Sequence, residues 1–157
     1  MSNSADARLY FGYFLGNPEY TSWLIKNEDE EDDQAEGLVS KAFDNIPEDC
    51  KPKMKYPDRD DYYDFEKERA VKDYYGVEIR HAGYVYSSCY LTVATTTALE
   101  ASDYGYIVLD LDDLLCRSSQ EHWEDRLDRF ITASGLEWAE DVEDEPQASW
   151  LLVASYG

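Results

Sequence analysis

The sequence predicts an α+β fold: one domain with a mainly antiparallel sheet of four to five strands and three to four helices packed largely on one face. Three observations carry that expectation. The chain has 157 residues, the size of a single domain. Its hydrophobic content of 43%, with 15% aromatics, is enough to build a core. The β-branched and aromatic segments stand beside one another in mid-chain instead of alternating with helices, which favours antiparallel pairing.

Residues 7–15 (ARLYFGYFL) read as a first strand buried on both faces. Asn17 and Pro18 offer an N-cap and a first-turn proline, and Tyr20, Trp23 and Leu24 at i, i+3, i+4 predict a short helix. Six acids follow, Glu28, Asp29, Glu30, Glu31, Asp32 and Asp33; adjacent like charges repel, so 28–36 reads as an acidic loop. Ala35, Leu38, Val39, Ala42, Phe43 and Ile46 keep helical spacing until Pro47, which predicts an amphipathic helix. Residues 47–57 (PEDCKPKMKYP) form a Pro/Lys loop carrying the basic cluster of the chain. A second helix is expected over 60–75, closed by Gly76 in a left-handed cap.

Residues 77–97 read as two strands with a bulge or turn at Gly83, and 104–111 (YGYIVLDL) as another strand. Ser118-x-x-Glu121 has the form of a capping box, and Trp123, Leu127, Phe130 and Ile131 continue a helix to Gly135. An acidic loop over 137–146 precedes a last strand, 149–156. The whole of 1–157 is expected to be one domain.

Catalytic chemistry finds little support. The two histidines, 41 residues apart, cannot supply a zinc or iron ligand set, and the acidic runs lack the glycine-centred spacing of a calcium loop. No metal and no cofactor are expected. His81 and Cys89 could meet only across a hairpin, so a structural histidine and a buried thiol are the expectation. Cys50, Cys89 and Cys116 form no C-x-x-C pair and read as reduced thiols, Cys89 and Cys116 buried. The N-terminal segment lacks a basic stretch followed by an apolar one, and no run approaches 18 apolar residues, so a cytoplasmic protein is expected.

One short motif points elsewhere. YIVLDLDDLL (106–115) resembles the first motif of haloacid-dehalogenase-type phosphatases, an apolar strand ending in Asp-x-Asp. The resemblance implies Asp110 as nucleophile and Asp112 as acid/base. It covers about ten residues, and the downstream lysine of that family has no counterpart among the 44 residues after Asp113. An Asp-x-Asp phosphatase is therefore the enzyme alternative, and a non-enzymatic function the main reading.

Charge is the remaining functional feature. Thirty-five acids against 14 bases leave a formal charge of −21. Residues 1–27 are neutral and 51–57 carry +3, whereas 28–33 carry −6, 103–113 carry −4 and 137–145 carry −6. Nucleic acid and anionic membranes bind through Lys and Arg, so neither is an expected ligand. Duplex DNA carries one charge per about 1.7 Å of axis, so the net charge matches about one helical turn of phosphates. The expected function is a non-catalytic, phage-encoded inhibitor of the anti-CRISPR or anti-restriction type. It would imitate nucleic-acid charge and block the DNA or RNA site of a defence nuclease in the host cytoplasm. The expected contact residues are Glu28–Asp33, Asp110, Asp112, Asp113, Glu140, Asp141, Glu143, Asp144 and Glu145. Two helix stripes come second: Asp61, Asp64 and Glu68, then Glu121, Asp125 and Asp128. The expected partner is a basic nucleic-acid-binding protein or nuclease complex, and exposed Trp and Tyr leave room for a homodimer. An immunity protein against a cationic nuclease toxin and an ordinary acidic or halophilic domain are the alternatives.

Overall fold

The computed structural model describes residues 5–16, 23–25, 34–55, 60–82, 88–93, 100–101, 106, 108–138 and 146–156. They form β1 (Ala5–Gly16), β2 (Trp23–Ile25), α1 (Gln34–Asp44), α2 (Asp60–Tyr75), β3 (Val77–Ala82), β4 (Ser88–Val93), β5 (Glu100–Ala101), α3 (Leu111–Gln120), α4 (Trp123–Ser134), β6 (Leu136–Trp138) and β7 (Ser149–Tyr156). The fold is α+β, as the sequence predicts.

β1 is the axis of the main sheet. One edge pairs with β7 from Ala5 to Gly12, and the other with β5 at Ala7–Arg8 and with β4 from Gly12 to Gly16. β3 closes the far side of β4, and every pairing is antiparallel. Alternate residues of a strand face opposite sides. Phe11 and Leu15 of β1, Leu91 and Val93 of β4 and Val77 of β3 therefore share one side, and all five belong to the main core. Leu38, Ala42 and Phe43 of α1, Val71 and Tyr75 of α2, and Leu127 and Phe130 of α4 complete that core, so these three helices cover one face of the sheet.

The i, i+3, i+4 pattern of α1 puts Leu38, Val39, Ala42 and Phe43 inward. Its last turn is tied to α4 by Asn45, whose amide donates to the carbonyls of Lys41 at 3.1 Å and Ala133 at 2.9 Å. Lys67 of α2 reaches the Ser40 hydroxyl of α1 at 3.1 Å. Gly76 ends α2 with φ +71°, as expected of a left-handed cap, and Gly135 ends α4 with φ +68°.

Tyr75 joins these helices through one buried bond: its hydroxyl donates to the Ala42 carbonyl at 3.1 Å. Burial, then the adjacent Tyr74, push its pKa up, against a downward pull from Arg129. A hydroxyl that stays protonated longer in the folded chain contributes stability that is full below the unfolded-state value, about pH 10, and declines as pH rises through the folded one. Tyr75→Phe is expected to cost about 1 kcal/mol at neutral pH through the lost bond. In urea denaturation the gap to wild type should narrow towards about pH 11, because only wild type must keep this group protonated. A gap that stays constant with pH would refute the linkage.

Several expectations need correction. β1 is buried on its second face only in part: Tyr10 is buried there, but Phe14, on the same side, is exposed against Tyr90 at 5.2 Å. Trp23 and Leu24 lie in β2, not in a helix, because β2 pairs with β6, with Trp23 opposite Trp138. Residues 17–22 lie outside the described residues. The acidic loops are shorter than read, since Gln34 already opens α1, and Glu137 and Trp138 belong to β6.

The largest difference falls at 104–111. Residues 108–110 form no strand, and Leu111 opens α3. Asp110 caps this helix by accepting the Asp113 N–H at 3.0 Å. The Ser118 capping box does not form either. Ser118 lies inside α3 and donates to the Leu115 carbonyl at 3.0 Å. The chain then turns through His122 at φ +54° before α4 begins.

Candidate functional site

The described part of the predicted acidic site lies on α3, its capping segment and α4. α4 is anchored by Trp123, Leu127 and Phe130, all fully buried. The Trp123 ring lies 5.7 Å from both Phe11 and Trp150, and its Nε1–H donates to Glu121 at 2.8 Å. α3 is held far less: Leu114 is its one buried residue. The outer surfaces of these two helices carry Asp110, Asp112, Asp113, Glu124, Asp125 and Asp128, all exposed.

The bases of the same helices are drawn back onto the protein. Arg117 pairs with Glu121 at 3.4 Å and lies over the Trp123 ring at 5.8 Å. The Arg126 side chain packs against Gly76, where a Cβ would come within 3.0 Å of its guanidinium. Arg129 sits over the rings of Tyr74 and Tyr75, at 5.4 and 5.8 Å. Guanidinium groups stack on aromatic faces while keeping their charge. These bases thus lie along aromatic and backbone surfaces, Arg117 and Arg126 half-buried and Arg129 exposed, instead of pairing with the exposed aspartates. Among the described residues none of Asp112, Asp113, Glu124 and Asp128 is paired with a base, and Asp125 meets only His122, at 3.3 Å.

The remaining predicted positions divide clearly. Glu28–Asp33, and Glu140, Asp141, Glu143, Asp144 and Glu145, lie outside the described residues. Asp61 and Asp64 belong to α2, but their side chains are outside the description; Glu68 is exposed on the same helix. Glu121 is a correction. The spacing predicts one helix face for it with Asp125 and Asp128, yet it caps the C-terminus of α3 and is engaged by Arg117 and Trp123. Glu124, which sequence reasoning missed, is exposed in the first turn of α4. The break at Glu121–His122 is what separates the two.

Among the described residues before Asp110, 106 and 108–109 form none of the strand that the Asp-x-Asp resemblance requires, and the Asp110 carboxylate caps α3. His81 stands opposite Cys89 in the β3–β4 register, and their side chains lie outside the described residues. Cys116 is exposed, a correction to its expected burial, and its sulfur accepts from Gln120 at 3.1 Å. Among the described residues no group of three or more His, Cys, Asp or Glu is placed to hold a metal ion, and no helix is long and apolar enough to cross a membrane.

No protein-family model, curated protein or solved structure matches this chain.

Proposed function

We propose that this protein is a non-catalytic acidic inhibitor that presents carboxylates in place of nucleic-acid phosphates and occupies the cationic DNA- or RNA-binding site of a defence nuclease. The observation that carries this reading is the charge on α3 and α4. Asp112, Asp113, Glu124, Asp125 and Asp128 are exposed and, among the described residues, none is paired with Lys or Arg, while Arg117 and Arg129 lie over aromatic rings and Arg126 packs against Gly76. An ordinary solvated surface intersperses the two signs, which cancels its field a short distance out. Unpaired charge keeps a field that reaches into a partner's groove and steers association. The total charge of −21 adds to the same field.

The test uses restriction endonucleases and CRISPR effector complexes with duplex substrate. The intact protein should inhibit cleavage by at least one of them, and added non-cleavable duplex DNA should relieve the inhibition. The variant Asp112→Asn/Asp113→Asn/Glu124→Gln/Asp125→Asn/Asp128→Asn should bind that enzyme at least about tenfold more weakly, since exposed ion pairs contribute about 0.2–1 kcal/mol each. Raising salt should erase the difference between variant and wild type, because exposed charges are screened. Binding that neither DNA nor salt displaces, and that survives the five substitutions, would eliminate the proposal.

A further inference from the structure

Beside the carboxylates lies a feature that phosphate mimicry does not require. Tyr106, Val108 and Leu111 are 87%, 82% and 64% exposed, and Leu115 is 59% exposed. Leu111 and Leu115 are four residues apart in α3 and so share a face of that helix. Single exposed leucines are ordinary; five exposed large apolar side chains within ten residues, Leu109 among them, are a concentration of the kind found at interaction sites. The sequence conceals it, because the same run reads as an interior strand.

We propose that the surface of residues 108–115 docks a cationic amphipathic helix of the partner protein. In that arrangement Val108, Leu111 and Leu115 anchor its apolar side, and Asp112, three residues before Leu115 and beside the same helix face, meets its Lys or Arg side chains. Charge selects this occupant. Nucleic acid and anionic membranes are repelled by Asp110, Asp112 and Asp113, all exposed on the same segment. A second copy of the chain would bring these same aspartates together, with −21 on each protomer. An apolar surface flanked by basic side chains satisfies both the leucines and the aspartates. The inference rests on the cationic-partner reading above and adds that apolar contact, which salt does not screen, supplies part of the affinity.

The probes are a synthetic helix with Leu on one face and Lys on the other, and polylysine of equal charge. Isothermal titration should show the amphipathic helix binding about tenfold or more tighter than polylysine, the gain expected from burying even one Leu side chain. Leu111→Ala/Leu115→Ala should bring the helix down to the polylysine affinity and leave polylysine itself unchanged. Both positions are exposed and Ala keeps helix propensity, so the fold should persist, with circular dichroism as the check. Asp112→Asn/Asp113→Asn should weaken both probes. Equal binding of the helix to wild type and the leucine variant would overturn the docking surface while leaving charge mimicry standing. Leucine-dependent binding of the helix, with no nuclease inhibited in the cleavage assay, would retain the docking surface and remove the mimicry. Self-association in sedimentation equilibrium that the leucine variant abolishes would make the occupant a second copy and overturn the proposal.

Discussion

Trp123→Ala should destabilise the protein by about 3–5 kcal/mol, the range for truncating a fully buried aromatic side chain. Trp123 has no exposed surface and forms the centre of a ring cluster, with Phe11 and Trp150 each 5.7 Å away. Phe11 and Trp150 also meet each other at 5.3 Å, and both belong to paired strands of the main sheet. Removing the indole leaves a cavity between α4 and the sheet, and its walls cannot all collapse into it. It also frees Glu121 from the indole N–H, on the turn that joins α3 to α4. Domains are stable by about 5–15 kcal/mol, so this single change removes a large share of the total. Urea denaturation followed by circular dichroism measures it. Trp123→Phe keeps a ring in the cluster but not the N–H donor, and should cost less. A loss below about 1 kcal/mol for Trp123→Ala would show that the cluster is not the joint between helices and sheet.

Gly12→Ala should be the most damaging exchange of one hydrogen for a methyl group. Gly12 is paired on both edges, with Thr92 of β4 and with Ser149 of β7. A Cβ there would collide with the Leu91 carbonyl oxygen and come within 2.8 Å of the Thr92 Cα. Both obstacles are backbone, so no rotamer change relieves them, and β1 and β4 would have to separate. Overpacking costs about 1–3 kcal/mol where side chains can yield, and this site should reach or pass the upper end. Gly16→Ala is the control. Open space surrounds that position, but φ is +82°, so the expected cost is the left-handed penalty of about 1–2 kcal/mol. If the two variants lose equal stability, the close approach of β4 to Gly12 is not what requires the glycine.

Much of the fold was legible because its helices and long strands announce themselves locally. The periodicity of α1, Pro47 after it and Gly76 after α2 each express a constraint within a few residues. β7 was equally clear, since a run of apolar residues behind an acidic loop has few alternatives. Failures came where a pattern was short. Trp23 and Leu24 suit a helix turn or a strand, and the presence of β6 across from them decided for the strand. YIVLDL also suits either, and the Asp110 cap on the Asp113 N–H turned it into a helix start. An aspartate three residues before a second one was a usable cap signal, overridden in the sequence by the apolar run around it.

The candidate site follows the same division. The excess of acid, its clustering and the presence of Asp125 and Asp128 on a helix needed only the sequence and its spacing, whereas the helix start at Asp110, Asp112 and Asp113 reads there as a strand end. The direction of the bases did not. Arg117, Arg126 and Arg129 look like neutralising partners in a linear count, yet they rest on Trp123, on Gly76 and on Tyr74 with Tyr75. No spacing rule could pair Arg129 with rings 54 and 55 residues earlier in the chain.

The sequence by itself determined the α+β class, the main helices and the amount and clustering of charge, because these depend on composition and on patterns a few residues long. What packs in three dimensions settled which bases lie on aromatic rings, why Gly12 has no side chain, and that Leu111 and Leu115 are exposed while Leu114 between them is buried. Burial is a property of what packs against a residue, and those neighbours come from distant parts of the chain.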